Sequence, residues 1–279
     1  MGKYNKNNKI LRIEDFQHPA DKKAVDKIVS LPGFEKAINF ISEKALERYV
    51  SMINNASYLK ITPEMSPKLH EMLAEAADMY GCTKIPKIFL KRNYNFCVDL
   101  GGINDVHIFL PTTWLEVVND DMLFAVLSAQ IAAIQAKQEI MYFLIQLFDE
   151  SSFLFYNNLF SIALGSALKL ALSDWERMRI YTADRAVLLA SESFELAAKH
   201  ILFGDVPIDS LDKLELSKPG NTYYQQAKEF LQHGGAAGAY QKGVTAMSDS
   251  QWIASRYIEL YNWYYSGEYH DVLERSIPE

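Results

Sequence analysis

Apolar residues recur every three or four positions along most of the chain, and at every second position only over one short stretch in the middle. The segment from Ile13 to His18 reads as a loop that opens a helix, with Pro19 in its first turn. A short amphipathic piece from Ala24 to Val29 ends at Pro32-Gly33. A longer helix is predicted from Phe34 to Ile53, with Ala37, Phe40, Ile41, Ala45, Tyr49 and Met52 on one stripe. Ser66 then stands as a cap before Pro67, and Leu69, Met72, Leu73, Ala76 and Met79 form the inner face of a helix that stops at Gly81. Beyond it the period changes. Lys87 to Lys91, Asn95 to Asp99 and Val106 to Leu110 read as three strands, with turn residues Leu100 to Asp105 between the last two. From Thr112 onward the pattern is helical throughout, over about 112–118, 120–148, 152–172, 174–202, 207–216, 221–233 and 249–266.

The chain has 279 residues, 49% of them hydrophobic, enough to bury a full core. A net charge of −7 with no stripe of Lys and Arg argues against a nucleic-acid partner. Cys82 and Cys97, with no C-x-x-C, suggest a reducing compartment and a cytoplasmic protein. The basic, polar start from Met1 to Lys9 has no apolar stretch behind it and reads as a tail rather than a signal peptide. Ser152 to Leu172 has the length of a membrane span, but Asn157, Asn158 and Lys169 interrupt it, so a buried or partner-facing helix is the better reading.

Little local chemistry stands out. The six histidines, His18, His70, His107, His200, His233 and His270, include no pair at i, i+3 or i+4 and no H-x-H. Neither Ser128 nor Ser250 lies in a G-x-S-x-G elbow. The glycines of His233 to Ala239 have no strand before them and no G-K-[ST] after them, so they form a joint rather than a phosphate loop. No cofactor is expected. Aromatic residues crowd two helical segments, Phe153 to Phe160 and Trp252 to Tyr265, which suits core packing and also a protein-binding or self-association surface.

Several stretches carry a more specific signal. They are Met72 to Gly81 with Pro86 to Leu90, the edge-strand segment Asn95-Phe96-Cys97-Val98, and Ile108 to Leu115. The acidic opening Asp120-Asp121 of the next helix follows, then Arg179 to Ala186, and finally Asp249 to Arg256. Taken in this order they resemble the HtpX-like and CAAX prenyl endopeptidase family of zinc metallopeptidases, in its soluble cytosolic branch, over nearly the whole chain. The resemblance implies a predominantly helical α+β fold: a gluzincin-like core with an active-site helix packed beneath a small three-stranded sheet. It implies a tail over 1–17 and one domain over 18–279.

The resemblance also says what is missing. The family's helix reads H-E-x-x-H, two imidazoles one turn apart with a carboxylate that activates water. Here those positions are Ala129, Gln130 and Ala133. The third ligand, a Glu, corresponds to Ile180, and the His that steadies the oxyanion corresponds to Ser250. Ala and Ile offer no donor atom, and a neutral amide is no general base. Asn95, Asp184, Arg185 and Arg256 match retained family positions, with Asp184 and Arg185 expected as a structural pair tying the two long helices together. The implied function is that of a pseudo-peptidase without metal, a protein- or peptide-binding, regulatory or structural subunit whose edge strand from Asn95 to Val98 takes up an extended segment. Gly101 and Gly102 would let that backbone approach closely. A homo-oligomer or an active paralogue would be its partner. The alternatives are an active zinc endopeptidase, should the alignment be misplaced, and an oligomeric assembly component with a vestigial groove.

Overall fold

The computed structural model describes residues 2–41, 44–92, 98–150, 162–203, 206–232 and 252–277. It is mostly helical with one small mixed sheet, as the periodicity predicts. Four short helices come first: α1 (Ile13–Phe16), α2 (Pro19–Val29), α3 (Phe34–Ile41) and α4 (Lys44–Ser57). Strand β1 (Leu59–Ile61) and helix α5 (Pro67–Met79) follow, and Ser66 caps α5 by accepting from the Leu69 N–H. Next come β2 (Lys87–Lys91), β3 (Asp99–Gly101) and β4 (His107–Pro111). The described remainder is helical: α6 (Thr113–Val117), α7 (Asp120–Gln135), α8 (Glu139–Glu150), α9 (Ile162–Ser191), α10 (Phe194–Leu202), α11 (Ile208–Leu211), α12 (Thr222–Leu231), α13 (Ile253–Tyr265) and α14 (Glu268–Ser276).

The sheet has four strands rather than three, in the order β1-β2-β4-β3. β2 and β4 are parallel, while β1 and β3 flank them antiparallel. The added strand is Leu59-Lys60-Ile61, too short to show an alternation of its own. It is recognised only by its pairing, Leu59 with Leu90 and Ile61 with Ile88. Ile88, Ile108 and Leu110 are buried in the core that α5 and α7 share. Twelve of the sixteen residues of α7 are buried, so this helix is apolar on every side and forms the centre of the molecule.

Two helix ends differ from the periodic pattern for reasons of backbone, and one expected division does not occur. The predicted helix 120–148 breaks at Lys137, which takes φ 58° without being a glycine. Lys137 N–H bonds to Ile134 O and Gln138 N–H to Ala133 O, so the turn closes α7 in the manner of a left-handed C-cap. Glu192, at φ 52°, ends α9 in the same way. The division expected near residue 173 is absent, and α9 runs unbroken for 30 residues.

The stretch expected as a tail over 1–17 is, from Gly2 onward, built into the fold. The backbone N–H groups of Lys3, Tyr4 and Asn5 all donate to the Glu75 carboxylate, at 2.8, 2.7 and 2.8 Å. Lys9 is only 1% exposed; its ammonium donates to Leu189 O at 2.9 Å and pairs with Glu192 at 2.6 Å. A cation at the C-terminus of a helix meets the negative end of its dipole. Burial nevertheless lowers the Lys9 pKa, with Glu192 opposing. Leu11 and Phe16 complete the anchoring as core residues. Among the described residues, no helix is long and apolar enough to cross a membrane.

Candidate functional site

Ala129, Gln130 and Ala133 come together on the face of α7 that meets α9. Opposite them stand Arg179, Ala183 and Ala186. Small side chains let the two helices approach closely, and the space left open to the centre of a water molecule is about 10 Å³. That is roughly the minimum for one water. Gln130 supplies the only heteroatoms among the three α7 positions, and its Oε1 is buried with no hydrogen-bond partner. Among the described residues, no group of three His, Cys, Asp or Glu side chains is placed to hold a metal ion.

Ile180, expected opposite this face, does not line it. It is half-buried on another side of α9, and Arg179 and Ala183 take the facing positions. The Arg179 guanidinium is oriented over the Tyr142 ring at 4.5 Å and faces Trp175 at 5.8 Å. A fully buried carboxylate holds the surroundings in place. Asp21 on α2 accepts from Thr182 Oγ1 at 2.7 Å, Trp175 Nε1 at 3.0 Å, and the amides of Gln17 and Gln138 at 3.1 Å each. It thereby ties α2 to α9 and to the turn after α7. Carboxyl oxygens buried in a core need such a full complement of donors.

Asp184 and Arg256 do meet. The Asp184 carboxylate, 2% exposed, takes a two-pronged contact from Arg256, Nε at 2.9 Å and Nη2 at 2.6 Å. His200 Nδ1 lies 3.6 Å from the same carboxylate. Burial is the largest single influence on Asp184 and would raise its pKa, but the charge and hydrogen bonds of Arg256, with His200, hold it below the ordinary carboxylate range. Arg185 goes elsewhere: it donates to Phe16 O at 3.1 Å and lies over the Trp263 ring at 4.7 Å. Burial lowers its pKa to about 10. The expected tie between the two long helices is therefore a pair of separate ties, from α9 to α13 through both residues and from α9 to α1 through Arg185.

The edge-strand segment is only partly in view. Asn95, Phe96 and Cys97 lie outside the described residues, as does Ser250. Val98 is described and buried, immediately before β3. β3 is the last strand of the sheet and lies against α8. The two glycines beside it serve the chain's own packing rather than an incoming backbone. A Cβ on Gly101 would sit 2.4 Å from His107 Nε2, and one on Gly102 would sit 2.2 Å from Asp105 O. His107 itself is buried between Phe89 and Phe109, with Nδ1 on Asp105 O at 3.0 Å and Nε2 on Asn54 Nδ2 at 2.9 Å. Asp105 O can only accept, so the proton sits on Nδ1 and Nε2 accepts from the amide.

The sequence alone did not point to Asp21, Asn54 or Arg179. Thr182, which bonds to Asp21, and His107, which bonds to Asn54, lie more than 50 residues from them along the chain, and Arg179 meets Tyr142 on a different helix, all beyond the reach of a local pattern. No family model, no curated protein and no solved structure matches this chain.

Proposed function

We propose that the chain is a non-catalytic relative of the zinc metallopeptidases, a cytoplasmic pseudo-peptidase that binds a protein segment and acts as a regulatory or structural subunit. In this reading α7 is the former active-site helix, α9 the helix that once carried the third ligand, and the mixed sheet above them the gluzincin sheet. One observation supports it: Ala129, Gln130 and Ala133 lie together at a single interhelical contact, and of the three only Gln130 has a side-chain heteroatom to offer a metal. Empty ligand shells are costly to keep in a core, and small apolar residues remove that cost. The retained Asp184 supports the same reading, because its carboxylate is already engaged by Arg256 and serves the packing of α13.

The binding partner is an extended segment that adds to the sheet beside Val98 and β3, since main-chain pairing needs no metal. β3 is bonded to β4 on one side and, among the described residues, to no strand on the other. The test is a library of extended peptides titrated against the purified chain and against Val98→Pro. Saturable binding that the proline removes is expected. Absence of binding, or binding that the proline leaves intact, would overturn the proposal.

A further inference from the structure

A second space opens at the other end of α7, about two turns from Ala129. It is a cavity of about 410 Å³, within the usual size range of small-molecule sites. Four apolar side chains line it beside a larger polar surface, Val117 and Met122 on one side, Leu196 and Ile208 on the other. Its charged lining consists of three carboxylates, Glu195, Asp209 and Asp212, and one ammonium, Lys199. Lys199 is held by Glu195 at 2.7 Å and Asp212 at 2.9 Å. Asp209 is exposed at the rim with no ionic or hydrogen-bond partner among the described residues.

Three helices begin at this cavity, α7, α10 and the one-turn α11, and a helix start ordinarily favours an anion. The two longer ones are already capped, and α11, without a side-chain cap, carries Asp209 in its first turn. Asn119 Oδ1 accepts from Met122 N–H at 2.9 Å, and Ser193 Oγ accepts from Leu196 N–H at 3.2 Å. The acidic side chains Asp120, Asp121 and Glu195 also occupy the first turns of those two helices. The net field inside is therefore set by the carboxylates.

We propose that this cavity binds a cationic ammonium or guanidinium carried on an aliphatic stem. The stem would lie along Val117, Met122, Leu196 and Ile208, and the charge would reach Asp209 at the rim. Such a group is found on a partner's lysine or arginine side chain or on a free polyamine, and the site suits the chemistry that both share.

The test is calorimetric titration of the full chain with two probes, N-acetyl-arginine amide and spermidine, against N-acetyl-norleucine amide as the uncharged stem. Saturable binding of at least one cation is expected, with the uncharged stem much weaker. Tighter binding of the arginine amide would assign a side chain, and tighter binding of spermidine a free amine. Asp209→Asn, at an exposed position, should weaken the cation up to about fivefold, the range of a solvent-exposed charge pair. Lys199→Met keeps the stem and frees Glu195 and Asp212, so it should strengthen the cation by a similar factor. No saturable binding of either cation, equal binding of norleucine amide, or indifference to both substitutions would overturn the proposal.

Discussion

Two spaces lie along α7, and they differ in almost every physical respect. At the α9 contact, around Ala129, Gln130 and Ala133, about 10 Å³ remains, and α9 faces them with Arg179, Thr182, Ala183 and Ala186. At the start of the same helix, about 410 Å³ is open and four charged side chains line it. The position to which the motif spacing points is nearly filled and, among the described residues, holds no cluster of His, Cys, Asp or Glu, and the position on which the motifs are silent is open and polar. Two surfaces of one helix can thus differ sharply, one closed by packing and the other open to a ligand.

Substituting the same charge into both spaces should break or confirm this contrast most clearly. Ala129→Asp buries an unpaired carboxylate, and a loss of about 3 kcal/mol or more is expected in chemical denaturation. Ile208→Asp at the open cavity should cost about 1 kcal/mol or less. Similar losses at the two sites would mean that the α7–α9 contact admits solvent.

Arg256→Met should come next in size, at about 3 kcal/mol, because it strands the buried Asp184 carboxylate. The pH dependence sharpens this. Arg256 and His200 hold the folded pKa of Asp184 below its unfolded value, so the contribution is complete above about pH 4 and is lost as pH falls through the folded pKa. Acid titration of stability should show that loss in the parent chain. In Arg256→Met burial acts unopposed by the guanidinium, the folded pKa rises, and the destabilised window moves to higher pH. An unchanged acid limb would separate Asp184 from the ion pair.

The smallest effect concerns the one polar side chain left among the three site positions on α7. Gln130→Leu removes a buried acceptor that has no donor, and should be neutral or stabilising by about 1 kcal/mol in thermal melts. A loss above that size would reveal a hydrogen bond to Gln130 that the packing alone does not display.

Much of the framework was legible in the sequence because it follows from local rules. Ser66-Pro67 starts α5, and the strands around Ile88 and Ile108 lie at their predicted places. Two departures come from contacts distant along the chain and one from local backbone. Leu59 to Ile61 becomes a strand because β2 offers an edge. Lys3, Lys9 and their asparagine neighbours look like a solvated tail until Glu75 and Glu192 are placed beside them. Lys137 and Glu192 end helices at positive φ without the glycine that would have announced it.

The site was legible to the same extent. Ala133 shares a face with Ala129 and Gln130 because it lies four and three residues beyond them, about one helical turn, which spacing alone determines. Which residues of α9 meet them depends on the rotation of that helix about its axis, and so the partner is Arg179 with Ala183 rather than Ile180. The charged cavity combines α7, α10 and α11 with the end of α6. Of its ion pairs, only Glu195 with Lys199, four residues apart, follows from sequence spacing.

The most direct measurement of the central claim is the metal content of the purified chain after exposure to zinc and removal of the excess. Zinc far below one ion per chain is expected, with no casein cleavage that a chelator abolishes. A stoichiometric, tightly held ion together with chelator-sensitive cleavage would contradict it.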